Sequence, residues 1–391
     1  MDSTERLRSW TYRRQALGRA GGAPLETLRG VIGVYSTHPT APLALLARCA
    51  ALEPRDFSDM EQRRDVVRLP AMRQSAFLLP TSTAARVFAA TRQPLEKHAG
   101  RLQFGGLDFD AYARLTPRVL ECLSRPSTPG ELRACFPSTE DVYMVARVLA
   151  REGKVLRVGG SLRTDQLKYV ATEAWLGRPL DEADRQESLV WLAGEYLRAF
   201  GPARPADFAW WAGIPRRAAL AALEPLETVE RDGLLLLKAD REAFERVEPI
   251  DPEAVDVLPK WDSYTMGYAP DGRQRLVEDR FLGRAYTSVA GSPGATAGDG
   301  LPLVLRSGRA VASWSHRFEG NRLRVTVAPF EGQQVPDRAF DAVGHLLSAS
   351  SIDVESTTQE RDASFRPAAA APRSRGRAAA SPRRSNTAPS G

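Results

Sequence analysis

Residues 115–170 read LTPRVLECLSRPSTPGELRACFPSTEDVYMVARVLAREGKVLRVGGSLRTDQLKYV, and their changes of period decide the fold. Pro117 to Leu123 is spaced as a helix, and Thr128 caps a second one over GELRACF. Thr139 caps a third, EDVYMVARVLAREG, whose Val142, Val145, Val148 and Leu149 recur at the interval of a buried face. KVLRVGG and LKYVATE then alternate as two strands about a Gly-Gly turn. Three helices followed by a strand pair is the order of a winged helix. Arg147 and Arg151 lie on the third helix, but its core spacing argues against naming it a recognition helix.

Asp184 to Lys238 repeats this scheme. ESLVWLAGEYLRAF, ADFAWWAG and PRRAALAALEPL are the helices, and TVERDGLLLLKAD is a strand pair about Asp232-Gly233. Arg216 and Arg217 follow Pro215 in the first turn of the third helix, where positive charge opposes the helix dipole. They are either solvated there or placed to meet phosphate. Residues 3–20 and Pro24 to Gly33 read as helices, with Ser3 or Thr4 capping the first. A helix from Leu43 to Leu52 follows, then a hairpin from Val66 to Leu79 carrying Arg73, and a helix capped by Thr81.

The division that results is an N-terminal winged-helix-like domain over 1–114, further units over 115–180 and 181–250, a β-rich unit over 251–363, and a tail over 364–391. The expected fold class is α+β, mostly α, with tandem winged helices.

Charge is unevenly placed. The 391 residues hold 54 basic and 48 acidic side chains, a net of +6. Arg366, Arg373, Arg375, Arg377, Arg383 and Arg384 fall after position 363 with no lysine or acid beside them, so residues 1–363 carry 48 of each sign and net zero. The tail, rich in Ala, Pro, Ser and Arg, is expected to be disordered. Such an arm can add salt-dependent phosphate contacts or simply keep the chain soluble.

No apolar run approaches the roughly 20 residues of a membrane span, and MDSTERLRSW is too charged for a secretory signal, so a cytoplasmic protein is expected. Cys49, Cys122 and Cys135 form no C-x-x-C and read as reduced, mostly buried thiols. The four histidines lack ligand spacing, and no metal is expected.

Function is sought in VIGVYSTHPTAPLALLARC, residues 31–49, where Tyr35, Ser36, Thr37 and His38 stand in a row between apolar runs. Such side chains need partners or line a cavity; a capped turn before the next helix also accounts for them. Pro259 to Tyr268 packs Trp261, Tyr264, Met266 and Tyr268 around Asp262. Aromatics beside a carboxylate suit a base-excising site, or equally a core turn. LVLRSGRAVASWSHRF and NRLRVTVAPF form hairpins with turns at Ser307-Gly308 and Gly320-Asn321. Trp314, His316 and Arg317 lie on the first, and the helix DRAFDAVGHLLSAS closes the body.

These segments together resemble the AlkZ-like winged-helix DNA glycosylases. The pattern from Val31 to Arg48, then LPAMRQSAFLLP, YLRAFGPARPADFAWW, LPKWDSYTMGY and the closing SWSHRF carry the resemblance, which spans roughly residues 5–350. It implies hydrolysis of the N-glycosidic bond of an alkylated purine in double-stranded DNA, including crosslinked DNA, by a monomer that binds no membrane and uses no metal or organic cofactor. The protein would gather at the nucleoid when bound. The family's Gln-x-Gln falls on Tyr35 and Thr37, which are not glutamines. His38 or Asp262 would then activate water, with Tyr35 and Thr37 orienting it. Arg73, Arg216, Arg217, Trp261, Tyr264, His316 and Arg317 would contact DNA. A non-catalytic winged-helix regulator or a protein-interaction scaffold is the alternative.

Overall fold

Capping and turn chemistry set the helices and hairpins of the computed structural model, which describes residues 1–36, 40–137, 140–159, 162–163, 167–287 and 299–357. Thr128 starts the helix Pro129–Ala134 with a reciprocal cap: its hydroxyl accepts from the Glu131 amide at 3.2 Å, and its own amide donates to the Glu131 carboxylate at 2.7 Å. The helix Val142–Arg151 is capped by Asp141, which accepts from the Met144 amide at 3.0 Å. Thr139, expected in that role, lies outside the described residues. Antiparallel strands Val155–Val158 and Lys168–Ala171 complete the unit.

The preceding helix starts earlier than expected, at Phe109, and runs to Cys122 with Pro117 inside it. Asp108 caps it by accepting from the Ala111 amide at 2.8 Å. It therefore passes through position 114 without a break. Its Tyr112, Leu115 and Val119 pack with Leu102 and Val145 in one core cluster.

The same order recurs in helices Arg185–Phe200, Pro205–Ala212 and Arg216–Leu223, with strands Thr228–Arg231 and Leu234–Leu237. Asp232 and Gly233 both take positive φ, 53° and 75°, at the turn between them. Nearer the N-terminus lie helices Ser3–Arg14, Pro24–Gly30, Thr40–Leu46 and Pro54–Gln62. A three-stranded sheet there is ordered 34–35, 76–80, 66–70.

Two caps differ from expectation. Asp2, not Ser3 or Thr4, accepts from the Glu5 amide at 2.7 Å, because a carboxylate one residue earlier reaches that donor. Thr81 gives no cap to the helix Thr81–Thr91; its hydroxyl donates to the Arg64 carbonyl at 2.6 Å.

The C-terminal sheet is larger than the expected hairpins. Strands Leu303–Arg306, Arg309–Glu319 and Arg322–Pro329 are joined by Val255–Leu258 on one edge and, in parallel, by Ser351–Ser356 on the other. Its Val304, Trp314, Leu323 and Val325 share a core with Leu28, Leu43, Leu45 and Leu78. Packing the two ends of the chain together in this way carries the segment around Tyr35 against the one around Trp261. Among the described residues no helix is long and apolar enough to cross a membrane.

Candidate functional site

Tyr35 occupies an edge strand of only two residues, paired with Phe77 across the sheet. Its ring meets Phe77 edge-on at 5.9 Å and leans on the Trp261 ring at 4.5 Å. Ser36, next in line, faces the other way: it is buried, and its hydroxyl accepts from the Arg68 guanidinium at 3.0 Å. Arg68 in turn pairs with Glu61, whose carboxylate accepts from the Gly159 amide at 2.8 Å. Thr40 donates its hydroxyl to the Tyr35 carbonyl at 2.8 Å. Thr37 and His38 lie outside the described residues.

Arg73 is delivered by a strained turn. The strands Val66–Pro70 and Ala76–Pro80 are joined through Met72–Gln74, where Arg73 and Gln74 both take positive φ, 51° and 59°, and the Ser75 amide donates to the Met72 carbonyl at 3.1 Å. Two successive left-handed residues under that bond make a turn that ordinarily asks for Asn-Gly, and each non-glycine residue there costs roughly 1 kcal/mol or more. Gly213, itself at φ +72°, lets the hairpin tip approach: a Cβ there would stand 2.8 Å from the Arg73 Cα. The Arg73 guanidinium lies 4.0 Å over the Trp210 ring and makes no hydrogen bond or ion pair among the described residues. Burial, with Arg273 nearby, pushes its pKa down to about 10.

Trp261 is the third strained residue, at φ 59°. A bulky side chain rarely adopts that conformation, and such strain concentrates at functional sites. Its amide donates to the Gly300 carbonyl at 3.2 Å, and the Lys260 ammonium lies 4.0 Å over its ring. Lys260 also pairs with Asp299 at 3.1 Å.

Tyr35, Arg73 and Trp261 thus meet from three distant segments around one pocket, with Ser75, Trp211 and Ser263 also in its wall. Its volume of ≈ 20 Å³ admits about one water molecule and excludes a purine. Sequence reasoning missed Ser75, Trp211 and Ser263 as wall residues. The Ser263 hydroxyl is buried with no hydrogen-bond partner among the described residues. A lone serine after an aspartate carries no pattern that could have marked it.

Asp262 is not in that wall. Its carboxylate is fully buried against Arg48, which donates to its two oxygens at 2.8 and 2.7 Å, and the Tyr264 amide adds a third bond at 2.9 Å. With its oxygens held this way it caps the helix Ser263–Met266 and has no access to a water in the pocket. Assigning it to water activation is corrected on this ground. Tyr264 is likewise a core residue: fully buried, it donates to the Gly308 carbonyl at 2.8 Å and is out of reach of DNA.

The remaining expected contacts are spread elsewhere. Arg216 and Arg217 are exposed at the start of their helix and make no ion pair among the described residues. His316 stacks on Trp314 at 5.4 Å, its pKa lowered by burial, and exposed Arg317 pairs with Glu319 at 3.1 Å. None of these lines the pocket. Among the described residues no cluster of three or more His, Cys, Asp or Glu is placed to hold a metal ion.

A family model described as DNA glycosylase AlkZ-like matches residues 28–349, most of the chain. The chain belongs to the AlkZ-like DNA glycosylase family. DNA is accordingly the partner that membership implies. Among solved structures, the DNA glycosylase AlkZ of Streptomyces sahachiroi is similar at a TM-score of 0.71 and 18% identity, covering 91% of this chain and 100% of that one. At that identity the likeness shows the fold. No curated protein matches the chain.

Proposed function

We propose that this AlkZ-like protein is a monofunctional glycosylase that hydrolyses the N-glycosidic bond of alkylated purines in double-stranded DNA. The observation that carries the reading is the convergence of Tyr35, Arg73 and Trp261 on a water-sized pocket. An N7-alkylpurine already bears positive charge and leaves readily, so the protein need only place a water and favour the cationic sugar. Tyr35 and Thr37 orient that water, and His38, adjoining the pocket in sequence, is the base. Arg73 is a partly desolvated cation held flat by Trp210, and a DNA phosphate is the anion it suits. Trp261 offers an aromatic edge to the substrate. Arg216, Arg217, His316 and Arg317 contact the flanking duplex, crosslinked duplexes included. The units over 115–180 and 181–250 act as winged helices. The protein works as a monomer without metal or cofactor, in the cytoplasm and at the nucleoid when bound.

A second reading has its own observation. With Asp262 sealed by Arg48 and neither glutamine present, the pocket wall holds no carboxylate or carboxamide among the described residues. A protein that binds DNA without excising bases fits that chemistry.

Base release from a duplex with one N7-methylguanine separates the two. Wild type should release base well above spontaneous depurination, and His38→Ala should lose at least about tenfold with binding intact, within the usual span of general base catalysis. Arg73→Ala should weaken DNA binding and reduce its salt slope by about one. Binding by wild type with only background release would establish the second reading.

A further inference from the structure

The unit around helix Phe109–Cys122 carries a pair of thiols that DNA recognition does not use. Cys122 ends that helix, and Cys135 caps the C-terminus of Pro129–Ala134. Both are only partly buried, unlike Cys49. This departs from the sequence expectation of mostly buried thiols, because the loop between the two helices turns back and sets their ends side by side. The Cys135 thiol lies close enough to Cys122 to hydrogen-bond with it. Arg118, one turn before Cys122, braces the pair by donating to the Cys135 carbonyl at 3.4 Å. Leu123 and Leu132, buried beside them, anchor both helix ends in the same core.

We propose that Cys122 and Cys135 form a reversible intramolecular disulfide when the protein meets a hydroperoxide. The Cys135 thiolate attacks a peroxide oxygen; the O–O bond breaks, hydroxide leaves, and a sulfenic acid forms. Cys122, losing its proton, then attacks that sulfur; the S–S bond forms, the S–O bond breaks, and water leaves. Two thiols and one hydroperoxide thus give a disulfide, water and the corresponding alcohol or a second water. Burial and the neighbouring thiol push Cys122 up to about 11, which suits the resolving role and makes the second step the slower one. The new bond closes the loop between two helix ends already in contact, so the oxidised chain keeps its fold and gains stability.

The test uses the full-length wild-type protein and hydrogen peroxide, whatever its activity on DNA. Thiol titration should fall from three to one, peptide mapping should link Cys122 to Cys135, dithiothreitol should restore all three thiols, and Tm should rise by several degrees on oxidation. Cys122→Ser should leave a sulfenic acid at Cys135 that dimedone traps. Three titratable thiols after peroxide, oxidation of Cys135 to sulfinic acid in the wild type, or linkage only between chains would each overturn the proposal.

Discussion

Asp262 and His98 show what burial does to a single ionisable side chain. Asp262 has its charge answered by Arg48, with the Ala44 carbonyl taking another of that arginine's bonds at 2.7 Å. Removing the carboxylate leaves an uncompensated guanidinium in the core. We expect Asp262→Ala to destabilise the protein by about 3–5 kcal/mol, read from urea unfolding; loss of base release in that variant would therefore report folding and not chemistry. An unchanged urea midpoint would refute this. His98 is 1% exposed, and neither ring nitrogen has a partner among the described residues. Burial first, then the nearby Arg151 and Arg101, lowers its pKa below 6.5 in the folded state. The unfolded chain thus takes up the proton more readily. The stability His98 allows is complete above about pH 6.5 and is lost as pH falls from there through the lowered value. Urea midpoints at pH 7.5 and 5.5 should differ less in His98→Leu than in wild type.

At the scale of elements, the hairpin 66–80 and the helix Pro205–Ala212 form one device. Gly213 ends the helix in the left-handed region, and its missing Cβ is the space into which the strained tip at Arg73 fits. Arg73 and Trp210 then stack. Gly213→Ala should cost at least about 1 kcal/mol from the backbone alone, and more because the tip must retreat from its Cβ. It should also weaken DNA binding by about as much as Arg73→Ala does. Affinity unchanged in Gly213→Ala would mean that the stacked arginine is not the phosphate contact. The short strand at Tyr35 depends on the same sheet, since Val34 and Tyr35 pair only with Leu78 and Phe77.

At the scale of the whole molecule, charge and packing answer different questions. The tail after residue 363 carries the entire net charge. Truncation there should lower the slope of log affinity against log salt by about 0.9 for each arginine that engages a phosphate. Gel shifts at several salt concentrations would measure it, and an unchanged slope would assign the tail to solubility.

Local signals were enough to find the helix–helix–helix–strand–strand order in 109–171 and 185–237. Thr128 with Glu131 and Asp232 with Gly233 act within a few residues, so their chemistry is visible in order along the chain. The pairing of Cys122 with Cys135, the edge strands Val255–Leu258 and Ser351–Ser356, and the wall at Ser75, Trp211 and Ser263 were not visible. Each depends on contacts between residues far apart in sequence. Asp262 is the clearest instance. Its neighbours Trp261 and Tyr264 suggested a reactive carboxylate, and only the arrival of Arg48 from another segment made it a structural one. The sequence by itself determined the local elements and the family, because periodicity, caps and turn residues act at short range. The tertiary structure alone decided which polar groups face the pocket and which are sealed in the core, because burial and pairing are set by what the rest of the chain places opposite them.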